Sequence, residues 1–249
     1  LIIYLSIKYG KVLPIILSVV QTAVVLYTEF TADVKEGPHM MVDWLTILMC
    51  IIIAFIGGFI CIYTVGYMKG YHNHHKEVKD RQPFFFSMLF LFLAAMFGLV
   101  LSQNLVWIYF FWEITSVISF LMIGYTRSEE AVNNSFCALW MNLLGGLGFA
   151  VAIALMAQLH GTLQLLEVVN IGALLPLMCL SLAGLTKSAQ LPFSTWLLGA
   201  MVAPTPSSAL LHSATMVKAG VYLLIRISPA LEGNLVGIIV SSIGGLTFI

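Results

Sequence analysis

Two long apolar runs lie between residues 174 and 226, and each carries one lysine near its middle, Lys187 and Lys218. A third run, residues 104–125, carries Glu113 near its own middle. At about 1.5 Å of rise per residue and roughly 20 residues per membrane span, all three charges are predicted to lie close to the bilayer centre. A charge at that depth costs at least about 2.5 kcal/mol, so each one needs a partner or a function.

The composition places the chain in a membrane. Of its 249 residues, 60% are hydrophobic and 9% are charged, whereas a soluble domain has about 25% charged residues. The apolar runs are continuous, which favours helices over a barrel of alternating strands. The net charge is zero and no basic tract is interleaved with aromatic residues, which argues against nucleic acid as a partner. We therefore predict an all-α membrane protein, a polytopic bundle of transmembrane helices.

Neither a metal nor a cofactor is expected. The four cysteines stand singly in apolar runs and no CxxC pair occurs, which argues against an iron–sulfur or zinc site. His72, His74 and His75 cluster in a stretch predicted to be a solvated loop, without carboxylate or cysteine ligands at a suitable spacing. Such a cluster is a weak candidate for a metal site.

The apolar runs predict a series of spans. They are expected at residues 12–27, 45–68, 84–102, 105–125 and 131–159, with two more inside 174–226, the tail of one at 1–7 and the start of another at 235–249. A short amphipathic connector is expected at residues 162–170. Because the chain starts without methionine and stops inside an apolar run, we expect it to be a piece of a longer protein.

The charges in the connections predict the orientation. Counted alternately, one side receives Lys8, Lys11, Lys69, Lys76, Lys79, Arg81 and Arg127. The other side receives Lys35, with Arg226 at its edge, and the acids Glu29, Asp33, Glu36, Asp43, Glu167 and Glu232. By the positive-inside rule the first side is cytoplasmic.

A helix break is predicted beside Lys187. Pro192 has no N–H for the carbonyl of Ser188 and its ring crowds that turn. The freed carbonyls would need water or side chains, which a cavity supplies. Burial disfavours a charged lysine and a nearby carboxylate favours it, so Glu113 and Lys187 would form a switchable proton site. The alternative is an ion pair that only holds helices together.

Further polar residues near the lysines are candidates for the same pathway. Lys218 is the expected next proton site, and His212 is either a relay to one surface or a structural histidine. Asn142 either faces the same cavity or bonds a neighbouring helix. Several hydroxyl groups would bond a file of water or the backbone of their own helix. They belong to Thr186, Ser188, Ser194, Thr195, Ser208, Ser213 and Thr215.

Two stretches resemble the antiporter-like membrane subunits shared by respiratory complex I, Mrp-type multisubunit sodium/proton antiporters and energy-converting membrane-bound hydrogenases. They are FFWEITSVISFLMIGY, at residues 110–125, and TKSAQLPFSTWLLGAMVAPTPSSALLHSATMVKAGVYLLIR, at residues 186–226. The resemblance extends over residues 43–249. It implies that Glu113 lies on helix five, Lys187 on a discontinuous helix seven, and His212 and Lys218 on helix eight, all four in proton translocation.

The resemblance also implies an organisation into inverted repeats of five helices. We expect N-terminal helices and an outer connection at 1–43, and a third helix with a cytoplasmic loop at 44–83. The first repeat would occupy 84–227, and the second would begin at 228–249. The broken helix and outlet residue of the second repeat would then lie beyond this sequence.

The function implied is that of a subunit that moves protons, with sodium exchange as an alternative, and that has no redox centre of its own. The implied partners are other membrane subunits, including further antiporter-like ones, and a peripheral redox module, in the inner (cytoplasmic) membrane. Leu198-Gly199 and Lys218 are more similar to Mrp-type and hydrogenase-type subunits than to complex I, and WLLGAMVAPTP is most similar to the hydrogenase type. The resemblance therefore favours a subunit of a redox-driven ion pump of the energy-converting hydrogenase type. An Mrp large subunit, a complex I subunit, a structural anchor and a free-standing transporter remain the alternatives.

Overall fold

The computed structural model describes residues 1–34, 37–75, 77–214 and 216–248, without the side chains of Ser213 and Ala214. Lys35, Glu36 and Lys76, which entered the predicted orientation, lie outside the described residues. Thr215, one of the predicted hydroxyl groups, and Ile249 lie outside them as well.

The described residues are mostly helical. In order, the helices are α1 (Ile2–Lys8), α2 (Val12–Thr31), α3 (Trp44–His74), α4 (Gln82–Leu101), α5 (Leu105–Ile123), α6 (Glu129–His160), α7 (Leu165–Ile171), α8 (Leu174–Lys187), α9 (Thr195–Gly199), α10 (Thr205–Ala209), α11 (Met216–Leu231) and α12 (Leu235–Phe248). Within the described ranges six segments are long and apolar enough to cross a membrane: α2 to α6 and Thr205–Leu231, which contains α10 and α11. The prediction of a multi-pass helical membrane protein is confirmed.

The third span is longer than predicted. α3 continues from Met68, where the apolar run ends, to His74. The reason is a row of aromatic rings at helical spacing: Tyr67 stacks on Tyr71 at 5.6 Å and Tyr71 on His75 at 4.3 Å between ring centroids. Rings four residues apart on one helix face stabilise the helix beyond the apolar run. The first turns of the stretch predicted to be a polar loop are therefore helical.

The bundle is assembled around α6, which packs against α2, α5 and α8, while α8 packs against α11. Two adjacent glycines of α6 allow this close approach. A Cβ at Gly145 would overlap Thr186 of α8, and one at Gly146 would overlap Glu113 of α5. Small residues at such crossings let helix backbones approach closely in a membrane. Glu113 and Thr186, the residue before Lys187, therefore contact the helix around which the bundle is assembled.

Arg226 and Asp43, which the alternation of connections places on the same side, are in contact. The Arg226 guanidinium near the end of α11 binds both carboxylate oxygens of Asp43, the N-cap of α3, and donates to Thr46 Oγ1 at 2.6 Å. This guanidinium holds the pKa of Asp43 well below its usual range. Arg226 thus lies on the same side as the acid, and it ties α11 to the start of α3.

Candidate functional site

Lys187 is the last residue of α8 and is completely buried. Its ammonium group donates hydrogen bonds to the carbonyl oxygen of Trp112 at 3.0 Å and to Ser116 Oγ at 2.8 Å, both on α5. Nζ also lies 5.0 Å from the centre of the Trp112 ring, within the range of a cation–π contact. The lysine therefore reaches from the end of α8 to the middle of α5, where neutral groups solvate it.

The helix ends at Lys187, and the backbone turns immediately after it. Ala189 has φ = 54°, a left-handed conformation that costs an alanine energy and that clusters at functional sites. Its N–H donates to the carbonyl of Thr186 at 3.2 Å, and the buried indole N–H of Trp196 donates to the same carbonyl at 3.0 Å. The discontinuous helix implied by the resemblance, whose first part is α8 here, is confirmed, and its break lies at the predicted place. Protein groups satisfy a carbonyl beside the break.

The Glu113 carboxylate faces α2 and α6, where it meets Gln21 and Gly146. Both of its carboxylate oxygens are buried and have no hydrogen-bond partner among the described residues, and Oε1 of Gln21 on α2 is in the same condition. The two Oε1 atoms meet over Gly146, where a Cβ would stand 2.9 Å from the Gln21 oxygen. Oxygens in apolar surroundings need a donor. A proton on the Glu113 carboxyl supplies one, and so does the Gln21 amide when it is turned over.

Glu113 and Lys187 interact electrostatically. Within the described residues the two salt bridges lie elsewhere, so this pair is not in direct ionic contact. The lysine's partners on α5 are one residue before Glu113 and three residues after it. Glu113 itself belongs to α5. Its carboxylate and the Lys187 ammonium therefore lie at about the same height along that helix, close enough for the charge on one to alter the other.

Glu113 also borders an apolar groove between α2 and α5. The groove has a volume of about 600 Å³, and its polar lining includes Ser18, Gln21, Thr22 and Glu113. The residue is half-buried although its carboxylate oxygens are buried, so its exposed part is the remainder of the residue. The Glu113 carboxyl group is therefore close to a groove on the side of the bundle.

His212 and Lys218 lie on the next span. His212 falls in a π-helical turn, Leu210–Ala214, and its Nε2 is buried without a partner among the described residues. Lys218 is half-buried, two residues before Gly220. A Cβ at Gly220 would stand 2.6 Å from the backbone nitrogen of Ser188, so α11 touches the end of α8 there. In the part of the chain that is described, neither side chain hydrogen-bonds to Glu113 or Lys187.

Two of the other predicted polar residues, Asn142 and Thr186, bond their own helices. Asn142 is 1% exposed, and its Nδ2 donates to the Ala138 carbonyl of the same helix at 2.8 Å. Its Oδ1 is buried without a partner among the residues that are described. Thr186 Oγ1 donates to the carbonyl of Ala183 at 2.9 Å. The hydrogen bond found for Asn142 is thus intrahelical and is not the bond to a neighbouring helix, which was one of the two alternatives for this residue.

Three residues of this site were missed by reasoning from the sequence: Gln21, Ser116 and Gly146. Gln21 was recognisable as the one amide inside its apolar run, residues 12–27. Ser116 lies one turn after Glu113, a spacing that places it near the same helix face. Gly146 belongs to a Gly-Gly pair in α6, which indicates close packing but not the side chain that it receives.

The chain matches two family descriptions. Residues 102–249 match "NADH:quinone oxidoreductase/Mrp antiporter, TM", and residues 32–76 match "NADH-Ubiquinone oxidoreductase (complex I), chain 5 N-terminus". The putative antiporter subunit mnhA2 of Staphylococcus aureus (strain USA300 / TCH1516) is 37% identical over 220 residues, which cover 84% of this chain and 27% of the relative. The chain thus spans about a quarter of the length of the curated relatives it matches.

Two solved structures have a similar fold. A chain of the Mrp complex from Dietzia sp. DQ12-45-1b superposes with a TM-score of 0.69 at 29% identity, covering 90% of this chain and 26% of that one. A chain of the membrane-bound sulfane sulfur reductase, an archaeal respiratory membrane complex, superposes with a TM-score of 0.68 at 17% identity, covering 91% and 52%. At 17% identity the second likeness concerns the fold alone.

The first match covers residues 102–249, more than half of the chain, and it contains Glu113, Lys187, His212 and Lys218. The chain is an antiporter-like, multi-pass membrane subunit, and it belongs to the NADH:quinone oxidoreductase/Mrp antiporter transmembrane family.

Proposed function

We propose that this chain translocates protons through Glu113, Lys187, Lys218 and His212, as part of a multisubunit ion-transporting membrane complex. The observation that carries the proposal is the completely buried Lys187, held by neutral acceptors of α5 beside a helix break. A fully buried lysine without a carboxylate in contact is poised between its charged and neutral forms, because burial opposes the charge.

Proton transfer in this arrangement begins with Glu113, a residue of α5, and with Lys187, which binds α5. When Glu113 is ionised, its negative charge stabilises the Lys187 ammonium, and when Glu113 takes up a proton that stabilisation is lost. Lys187 then releases its proton more readily to the next acceptor. We place Lys218 and His212 as that next stage, because α11 touches the end of α8 at Gly220. Water between the helices would complete the path.

We place an Mrp-type antiporter first among the possible assemblies, with exchange of protons for sodium. The 37% identity to a putative antiporter subunit and the likeness to a chain of an Mrp complex support this assignment. An energy-converting hydrogenase is the second candidate, on the run WLLGAMVAPTP at residues 196–206. In that assembly a peripheral redox module would drive proton transfer through the same four residues. In a complex I, the same residues would move protons for a quinone reductase.

The remaining parts of the proposal follow from the family. Other membrane subunits would surround the chain in the cytoplasmic membrane, with the basic ends of its helices inside. Residues 84–227 would form the first inverted repeat, following residues 1–43 and 44–83. A second repeat would begin at 228–249 and supply the outlet of the pathway.

The test is Lys187→Ala or Glu113→Ala in the intact complex, reconstituted into vesicles. We expect each variant to assemble and to lose coupled proton uptake, because the remaining group has lost the charge that switches it. Uptake at the wild-type rate in either variant contradicts the proposal.

A structural anchor is the rival function, in which the buried charges only fix the packing of helices. Lys187→Met separates the two ideas, since it keeps an unbranched side chain of similar length without the charge. An anchor would lose thermal stability or assembly first, whereas a transport site would lose turnover first. A free-standing transporter would instead be active without any partner subunit.

A further inference from the structure

A cavity at the basic ends of the helices has no part in the proposed proton path. It has a volume of about 350 Å³ and lies between the end of α1, the start of α4 and the turn that joins α5 to α6. Three cations from these three elements line it: Lys8, Arg81 and Arg127. Of the described residues that line it, none is acidic. A concentration of like charge around a cavity attracts anions to it.

The two arginines are held close together at this cavity. Burial lowers the pKa of Arg81, and the neighbouring charge of Arg127 lowers it further. Arg81 is fixed by a hydrogen bond from Nη2 to the Tyr125 carbonyl, while its Nε is buried without a partner among the described residues. Arg127 has φ = 60°, a conformation that is uncommon for a residue with a side chain. The backbone is therefore strained at the residue that brings the second guanidinium to the cavity.

The remaining cationic groups are unpaired. Within the described part of the chain, the side chains of Lys8 and Arg127 form neither a hydrogen bond nor an ion pair, although Lys8 Nζ lies 5.8 Å from the centre of the Tyr9 ring. Guanidinium groups with free donors match phosphate oxygens in charge and geometry. Donors without a protein acceptor, around an acid-free cavity, are the arrangement that binds a phosphate.

The deeper wall of the cavity is apolar. It is formed by Leu5 on α1, Phe84 on α4, Phe120 and Leu121 on α5, and Phe136 on α6. A free inorganic anion would gain nothing from these side chains, whereas the first methylenes of an acyl chain would lie against them favourably. The charged rim lies at the helix ends and the apolar wall within about the two adjoining turns, which is the order of a lipid from headgroup to tail.

We propose that this cavity binds the phosphate of an anionic phospholipid, with Lys8, Arg81 and Arg127 around the headgroup and an acyl chain along the apolar wall. Basic pockets between transmembrane helices at the cytoplasmic surface suit such headgroups. The bound lipid would fasten α1 to the α5–α6 turn. The site does not include Glu113 or Lys187, so lipid binding can be tested separately from the proposed transport.

The test is binding to the full-length subunit in its complex, delipidated in detergent and titrated by native mass spectrometry. The probes are a phosphatidylglycerol, a phosphatidylcholine with the same acyl chains, and inorganic phosphate. The variant Lys8→Gln/Arg127→Gln leaves Arg81 and its hydrogen bond to Tyr125 in place. The control, Lys69→Gln/Lys79→Gln, removes two charges from the same side of the membrane outside the cavity. Thermal unfolding in phosphatidylcholine nanodiscs verifies that both variants are folded.

We expect one phosphatidylglycerol to bind more tightly than phosphatidylcholine, and the Lys8/Arg127 variant to bind it about 30-fold more weakly, from roughly a five-fold loss for each charge near the membrane surface. The control should bind as the wild type does. Equal affinity for the two lipids, or an equal loss in the control, would overturn the proposal. Displacement of the lipid by millimolar phosphate would overturn it in favour of a site for a free anion.

Discussion

The substitution Gly146→Ala is the sharpest test of the Glu113 environment, because it adds a single methyl group beside the carboxylate. A Cβ at this position would overlap Glu113 Oε1 and stand 2.9 Å from Gln21 Oε1. Restoring ordinary van der Waals distances requires the carboxyl group to move by about 1 Å. A displacement of that size at a reacting group can lower a rate by about 100-fold.

The energetic cost of the same substitution is small enough for the protein to fold. Replacing glycine by alanine in a helix gains about 1 kcal/mol, whereas overpacking costs about 1–3 kcal/mol. The net loss should therefore be no more than about 2 kcal/mol. Gly58→Ala in α3 is the matched control, since a Cβ there meets nothing within 4 Å. The control should be as stable as the wild type or slightly more stable.

The assay compares proton uptake by vesicles that contain equal amounts of assembled complex. We expect Gly146→Ala to lower the rate about 10- to 100-fold and Gly58→Ala to leave it unchanged. If Gly146→Ala takes up protons at the wild-type rate, the position of the Glu113 carboxyl group does not matter for transport. The reasoning from its buried oxygens would then be wrong.

Two further substitutions test other contacts. Ser116→Ala removes an acceptor of the Lys187 ammonium, and it should cost about 1–3 kcal/mol in the free energy of unfolding and slow proton uptake. Ser119→Ala should change uptake little, because among the described residues the Ser119 Oγ bonds only the Ser116 carbonyl. Equal effects of the two substitutions on uptake would contradict the assignment. Asp43→Asn should lower the free energy of unfolding by about 1–3 kcal/mol, because it leaves Arg226 without its carboxylate. Since Arg226 holds the pKa of Asp43 below its usual range, the stabilisation is present above about pH 4 and is lost as the pH falls further. A stability difference that vanishes already at neutral pH would exclude this pair as its cause.

The membrane fold and the broken helix could be predicted because their signals are local. Continuous apolar runs predict spans, and Pro192 predicts an end to the helix that contains Lys187. The structure ends α8 at Lys187 itself. Charges buried in such runs also identified Glu113 and Lys187 as candidates without any knowledge of their neighbours.

The partners of those charges could not be predicted, because they come from other helices. Lys187 binds the backbone carbonyl of Trp112, a group that every residue has and that no sequence pattern distinguishes. Gln21 meets Glu113 only because α2 and α5 both pack against α6 at Gly146. The π-helical turn at His212 likewise has no local signal, since its residues, Leu210–Ala214, include neither glycine nor proline.

The central claim is that the Glu113 carboxyl group and the Lys187 amino group bind and release protons during transport, and do not merely hold helices together. Proton uptake by vesicles with Glu113→Gln, beside vesicles with Glu29→Gln, tests it most directly, because Glu29 is a carboxylate in the last turn of α2, away from the bilayer centre. The account predicts that Glu113→Gln assembles normally and takes up no protons, while Glu29→Gln behaves as the wild type does. Wild-type uptake by an assembled Glu113→Gln complex would contradict it.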